Sequence, residues 1–288
     1  MDRVSLQSGR WEAECLPADG GRLSVLRFAG HDLLTRRPVD FRPPTADWGR
    51  YESRPVYGYD DCFPTVDACA FPSGRQWTVP DHGELCWLEW HAVATGNSLD
   101  CTAGRQALPV RFRRRMLFGE SSLQWEFELV SEADLAIPFL HVMHGLMPLE
   151  EVACLDLPEF SALFDEMNDH AMPPCRPGDV AERLLSCREG TAQMLLLRQV
   201  KSGRFEVGFS NGMRLRVEYP LDMFPTLGIW WNRGGYPDED GCRRVECAVE
   251  PIPGTASSLA RSYGEGVCLS LGPRETSQWT IVWEIEPG

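Results

Sequence analysis

The sequence predicts an all-β protein, built as one antiparallel sandwich of many strands. Three observations support this prediction: segments in which apolar and polar residues alternate, a hairpin signal at Asn211-Gly212, and a scarcity of helical patterns. Alternation with period two gives a strand one buried and one wet face, which is typical of antiparallel sheet. Because no low-complexity linker interrupts the 288 residues, we expect a single domain over residues 1–288.

The predicted strands run from one end of the chain to the other. GRWEAEC and GRLSVLRFAG near the start flank the turn PADGG. In LQWEFELV, residues 123–130, four apolar residues alternate with Gln and Glu. RFEVGF and MRLRVEY lie on either side of Asn211-Gly212, a pair that accepts the positive φ of a tight hairpin turn. SQWTIVWEI alternates again near the C-terminus.

Helical patterns are few and short. In TASSLARSYGEG, Ser257 or Ser258 is expected to cap a turn or two that ends at Gly264. DVAERLLSC, residues 179–187, is the other candidate. Neither changes the predicted fold class.

Composition limits the possible partners and locations. A net charge of −14 repels nucleic acid, and no apolar run approaches the roughly 20 residues of a membrane helix. The first residues hold acids and arginines where a signal peptide would be apolar, so we expect a cytoplasmic protein. The eleven cysteines are odd in number and scattered, without a C-x-x-C pair, and predict reduced thiols and no zinc site.

The sequence offers isolated side chains for chemistry and no standard nucleophile or nucleotide motif. It has no G-x-S-x-G elbow, no P-loop and no G-x-G-x-x-G after a strand. Among its six histidines, His141 and His144 are three residues apart between Pro138 and Gly145, which argues against a helix. In a strand this offset places them on opposite faces, so one is expected to be structural and the other to face a cavity.

Two further segments carry polar groups beside apolar surface. GIWWNRGGYP, residues 228–237, suits a sugar, whose ring has apolar C–H patches and a rim of hydroxyls, although core tryptophans and a polar turn fit it equally. Glu246 and Glu250 share a face of one predicted strand, which we expect to end at Glu250 before Pro251. The arginines of RFRRR, residues 111–115, predict a solvated strand face or a phosphate clamp.

Six segments, in order, resemble the galactose mutarotase-like (aldose 1-epimerase) superfamily over almost the whole chain. They include the His-Gly of PDHGELCW, the second histidine of FLHVMHGLMPL and the glutamate of VECAVEPIPGTASSL. The other three are GGRLSVLRFAGHDLLT, YGYDDCFPTVDACAF and LGPRETSQWTIVWEI. The resemblance implies an antiparallel β-supersandwich with few short helices and a cleft that binds a monosaccharide and interconverts its α and β anomers.

The resemblance also implies roles for particular residues. Glu250 would be the base, His144 the acid, and His82 would orient the sugar or share the acid role, because ring opening needs one group to take a proton and another to give one. No cofactor and no metal are expected, and the chain is expected to be a monomer or a homodimer. The candidates for contacts with sugar hydroxyls are Asp60, Asp61, Trp231, Asn232 and Arg233.

Two departures from the family pattern leave the substrate open. Cys86 stands where the hexose-6-phosphate branch has an arginine after His-Gly, and Asp67-Ala68 stands where the galactose branch has Asn-Arg. Two alternatives therefore stay beside the aldose 1-epimerase hypothesis. One is a non-catalytic carbohydrate-binding protein of the same fold, and the other is a hexose-6-phosphate 1-epimerase.

Overall fold

The computed structural model describes residues 3–72 and 76–288, and antiparallel strands dominate these residues. The strands are β1 (Val4–Ser8), β2 (Trp11–Leu16), β3 (Arg22–Phe28), β4 (His31–Asp32), β5 (Tyr59–Cys62), β6 (Cys69–Ala70), β7 (Thr78–Val79), β8 (Trp90–Thr95), β9 (Ser98–Ala103), β10 (Val110–Phe118), β11 (Ser122–Ser131), β12 (Ile137–Phe139), β13 (Val142–Gly145), β14 (Val152–Asp156), β15 (Ala162–Asp165), β16 (His170–Ala171), β17 (Thr191–Arg198), β18 (Arg204–Phe209), β19 (Arg214–Glu218), β20 (Thr226–Arg233), β21 (Val245–Ile252), β22 (Leu269–Leu271) and β23 (Thr276–Glu286). The helices are α1 (Pro177–Leu185) and α2 (Leu259–Gly264).

The largest sheet has eight strands in the order β14-β18-β19-β23-β11-β10-β9-β8. Its central strands carry the alternation seen in the sequence: the burial of β11 and β23 changes at every residue, and Trp125 faces the core beside Ile281. Packing of these aromatic and β-branched side chains on one face stabilises the sheet, while the other face stays wet.

Two smaller sheets pack beside it and meet at their edges. One has the order β1-β2-β3-β5-β13, with β4 paired to β3, and the other has the order β16-β15-β17-β20-β21. The edge strands β13 and β21 lie next to each other, and a bridge between Met147 and Cys247 joins the chain just after β13 to β21. His144 and Glu250 belong to these two strands, so the sheet junction sets their separation.

The predicted fold class is confirmed. The segments around Asn211-Gly212 form β18 and β19, paired antiparallel, with Gly212 at φ 87°. Helix α2 begins after Ser258, whose hydroxyl accepts a hydrogen bond from the amide of Arg261 at 3.4 Å. Among the residues of the two described ranges, no helix is long and apolar enough to cross a membrane.

One strand boundary was predicted wrongly. Strand β21 continues through Pro251 to Ile252 instead of ending at Glu250. Proline has no backbone N–H to donate to a neighbouring strand. It is tolerated here because β21 is the last strand of its sheet, and the outer side of an edge strand pairs with no further strand of that sheet. Glu250 therefore lies within the strand, opposite Gly228 of β20.

Candidate active site

A cavity of about 290 Å³ brings His82, His144 and Glu250 together. The three residues are far apart in the sequence and come from a loop and two different sheets. The cavity wall also contains Trp230 and Tyr236, whose rings contact each other edge to face at 5.5 Å. The cavity therefore combines titratable groups with aromatic surface, as expected for a small-molecule site.

His141 and His144 point in different directions, as their offset of three predicts. His141 is fully buried, and its Nε2 lies 3.0 Å from Oδ1 of Asp61 among core aromatic rings. His144 lines the cavity, and its Nδ1 lies 3.3 Å from the hydroxyl of Tyr51. Only His144 of this pair is placed to meet a ligand.

The His82-Gly83 pair adopts an unusual backbone. His82 and Gly83 both have positive φ, 59° and 72°. Glycine adopts this region readily, whereas it is energetically unfavourable for a residue that has a side chain. A Cβ on Gly83 would lie 2.0 Å from the carbonyl oxygen of Phe63, so only glycine fits there. The turn aims the His82 ring into the cavity, where it stacks on Tyr51 at 3.6 Å. Oδ1 of Asp81 lies 3.0 Å from Nδ1 of His82.

Glu250 is the most deeply placed acid of the cavity. Its side chain is buried, and its Oε1 has no hydrogen-bond partner. Burial, with a further contribution from the negative charge of Glu166, raises the pKa of Glu250 to about 8. At neutral pH this carboxyl group therefore holds a proton most of the time.

A buried ionic layer lies beneath the two histidines. Tyr51 donates its hydroxyl proton to Oδ2 of Asp60 at 2.5 Å, and Arg22 and Arg54 approach the same oxygen at 3.0 and 2.9 Å. Burial alone would raise the pKa of Asp60, but these two arginines hold it below its usual value. Asp60 does not line the cavity and acts on it through Tyr51.

This layer determines the tautomer of His144. Because the Tyr51 proton goes to an ionised carboxylate, the Tyr51 oxygen is left to accept the proton on Nδ1 of His144. Burial lowers the pKa of His144 well below its usual value, and the nearby His82 and Arg244 lower it further. His144 is thus neutral at pH 7, protonated on Nδ1 and unprotonated on Nε2.

The aromatic wall of the cavity is Trp230, and not Trp231 as expected. Trp231 is buried in the core, because neighbouring residues of a strand face opposite sides. The indole N–H of Trp230 donates to Oε1 of Glu246 at 3.2 Å, which fixes the ring.

Asn232 and Arg233 also lie away from the cavity wall. Asn232 is buried, and its Oδ1 accepts from the amides of Gly235 and Tyr236 at 3.0 Å each. It therefore positions the loop that carries Tyr236. Arg233 is at the end of β20, where its carbonyl accepts from the amide of Gly190 at 2.7 Å.

Asp61, expected to contact sugar hydroxyls, is instead sealed inside the protein. It accepts hydrogen bonds from Tyr59 at 2.6 Å and from Arg114, and it contacts His141. Burial opposes ionisation, but Arg114 and His141 hold the pKa of Asp61 below its usual value. With both partners fully buried, this carboxylate has no access to a ligand.

Most of the wall was not among the predicted contacts, and the polar residues missed include Tyr51, Asp67, Glu166 and Arg244. Arg244 pairs with Glu52 at 2.8 Å, and the guanidinium stands over the Tyr236 ring at 5.9 Å. Asp67 was noted only as a departure from the family's Asn-Arg, and neither alternation nor a motif singles out the other three, whose positions depend on the folded sheets. In the ranges that the structure describes, no group of three or more His, Cys, Asp and Glu side chains is arranged to hold a metal ion.

Solved structures with the same architecture include mutarotase-like proteins. A galactose mutarotase related enzyme from Lactobacillus acidophilus is 14% identical and has a TM-score of 0.69, with 99% of this chain and 97% of that one covered. A provisionally assigned aldose 1-epimerase from Escherichia coli K12 is 14% identical, with a TM-score of 0.73 and coverage of 100% and 99%. A Synechocystis sp. PCC 6803 protein, Slr1438, is 14% identical, with a TM-score of 0.77 and coverage of 100% and 96%.

These similarities establish the fold. The chain has the galactose mutarotase-like β-sandwich fold, as the sequence motifs predicted. No protein-family model and no curated protein matches the sequence. At 14% identity the solved structures do not transfer an activity, so function is argued below from the cavity.

Proposed function

We propose that this protein is a cofactor-independent aldose 1-epimerase that interconverts the α and β anomers of a monosaccharide. One observation carries the proposal: His82, His144 and Glu250 line the same cavity beside the face of Trp230. An apolar ring face suits the C–H side of a sugar, and two kinds of titratable group suit proton transfer to and from its oxygens.

The reaction needs one proton acceptor and one proton donor. Glu250 takes the proton of the anomeric hydroxyl, and His144 gives a proton to the ring oxygen as the bond between that oxygen and the anomeric carbon breaks. The aldehyde carbon turns, and closure on its other face returns both protons. His82, held by Asp81 and stacked on Tyr51, orients the sugar.

These roles require one proton to move from Glu250 to His144 when the sugar binds. In the free protein this proton lies on Glu250, whose pKa is about 8, while His144 is neutral. The catalytic form has the same number of protons, one, but carries it on His144. The cost of this rearrangement depends on the charges that the ligand brings, which bears on the substrate class.

The test is the rate at which the optical rotation of freshly dissolved α-glucose and α-galactose decays. Glu250→Gln keeps the size of the side chain and removes the acceptor, so kcat is expected to fall by roughly 10²–10⁴-fold. Glu218→Gln, on an exposed position of β19, is the matched control and should leave the rate unchanged. An unimpaired Glu250→Gln enzyme would contradict the assignment.

The same assay separates the proposal from a non-catalytic sugar-binding protein of this fold. A neutral His144 and a protonated Glu250 are hydrogen-bonding groups as well as catalytic ones, so binding without turnover is the competing outcome. Absence of acceleration over buffer across a panel of sugars that do bind would favour it. The third alternative, a hexose-6-phosphate 1-epimerase, predicts that phosphorylated sugars outcompete free ones.

We also propose a cytoplasmic location. All eleven cysteines are free thiols, which is the usual state in a reducing compartment. The number of chains in the working protein, one or two, stays a proposal that a sedimentation measurement would decide.

A further inference from the structure

One end of the cavity concentrates acids that have no counter-ion. Asp67, Glu166 and Glu250 line this end, and no Arg, Lys or His within the described ranges forms an ion pair with any of them. The other two acids of the wall are paired: Glu52 with Arg244 at 2.8 Å and Asp81 with His82 at 3.0 Å. The three acids without an ion pair also lie near one another, since Glu166 interacts electrostatically with both Glu250 and Asp67.

Ser257 brings this acidic end together. Its amide and hydroxyl donate to the two carboxylate oxygens of Glu166 at 2.8 and 2.5 Å. Its carbonyl accepts from the amide of Asp67 at 3.1 Å. These bonds fix the backbone of one acid and the side chain of another, but they supply no positive charge.

Glu250 points independently to a ligand. It is 2% exposed, lines the cavity and leaves Oε1 without a partner. A buried polar oxygen without a hydrogen bond destabilises the folded protein, and natural sites keep such an oxygen where a ligand completes the bond. Burial and then Glu166 raise the pKa of Glu250 to about 8. A bound cation would oppose this shift.

We propose, on the basis of the proposed function, that the substrate is an amino sugar whose ammonium group lies beside the anomeric carbon, as in a 2-amino-2-deoxyhexose. Glu250 acts on the anomeric hydroxyl, so a cation that reaches the same acidic end must be carried on the adjacent carbon. The ammonium group pairs with Asp67 and Glu166 and favours the ionised form of Glu250. Substrate charge thus prepares the base that the reaction needs.

The test compares glucosamine with glucose and N-acetylglucosamine by calorimetric titration at pH 6.5, where the amine is protonated. Glucosamine is expected to bind about tenfold or more tightly than glucose, because a charge-assisted pair replaces a neutral contact. Asp67→Asn should reduce the preference to less than about threefold, while Asp222→Asn, at an exposed loop position, should keep it.

Glucosamine and glucose bound with equal affinity, or a preference that survives in both Asp67→Asn and Glu166→Gln, would overturn the inference. The polarimetric assay keeps this outcome distinct from failure of the proposed function. If the protein accelerates glucose anomerisation but binds glucosamine no more tightly than glucose, only the amino-sugar proposal is refuted. Glucosamine preferred without accelerated anomerisation would refute the epimerase alone, and absence of binding by all three sugars would refute both.

Discussion

At the scale of single residues, the pair Glu250 and His144 determines how the reaction depends on pH. The pair holds one proton between the low pKa of His144 and the pKa of about 8 of Glu250. Below this window it holds two protons and has no acceptor, and above it holds none and has no donor. His144 therefore sets the lower limit of this pH window and Glu250 sets the upper one.

For glucose, which does not titrate in this range, we expect kcat/KM to be level near pH 7 and to fall as the pH rises through about 8. The physical reason is loss of the single shared proton, and initial rates from pH 5.5 to 9.5 give the profile. A kcat/KM that keeps rising through pH 8 would mean that ionised Glu250 suffices and that the donor is another group. His144 would then lose its assigned role.

Sequence patterns predict the role of a residue best where they determine which face of a strand its side chain lies on. The offset between His141 and His144 predicts that they separate, and the structure agrees. The same rule identifies Arg114, which lies on the inward phase of β10 with Phe112 and is fully buried. An arginine on an apolar phase requires a buried acid, which Asp61 supplies, so the predicted solvated face does not include Arg114.

At the scale of elements, the turn that carries His82 depends on close approach of two backbones. Gly83 forms a bridge with Phe63, the residue directly after β5, and the amide of Glu84 donates to the carbonyl of Phe63 at 2.7 Å. Hairpins and caps could be predicted from local sequence. This contact joins segments twenty residues apart, and no local rule specifies it.

Gly83→Ala should lower the free energy of unfolding by about 3 kcal/mol or more and reduce kcat/KM by about tenfold or more. The added Cβ would need to lie 2.0 Å from the Phe63 oxygen, so the turn and the His82 ring must shift. Gly96→Ala is the matched control, since Gly96 has φ 59° with nothing within 4 Å of its Cβ position. It should cost only about 1–2 kcal/mol and leave the activity intact.

Equal losses of stability in both variants, measured by urea unfolding, would show that the left-handed backbone alone accounts for the effect. Unchanged kcat/KM in Gly83→Ala would show that the position of His82 tolerates movement of its turn. Either result would weaken the link between this element and catalysis.

At the scale of the whole molecule, the sheets are joined by a core that includes residues from Leu6 to Ile285. We propose on this basis that residues 1–288 form one domain. The sheets are also joined by buried charge: Asp61 lies on β5 of the six-stranded sheet, and Arg114 lies on β10 of the eight-stranded sheet. Arg114 further donates to the carbonyl of Gly21 at 2.6 Å.

Asp61→Asn tests whether this residue acts in the structure or in the site. Removing the negative charge leaves Arg114 buried without a counter-ion, which typically costs about 3–5 kcal/mol of unfolding free energy. Asp100→Asn breaks the half-exposed pair with Arg113 on the outer face of the same sheet, and should cost less than about 1 kcal/mol. Sugar affinity of the folded Asp61→Asn protein should match that of the unaltered protein, because Asp61 does not reach the cavity. A variant that keeps its stability and loses affinity would return Asp61 to the ligand contacts predicted from the sequence, and would mean that the two sheets are held together by apolar packing alone.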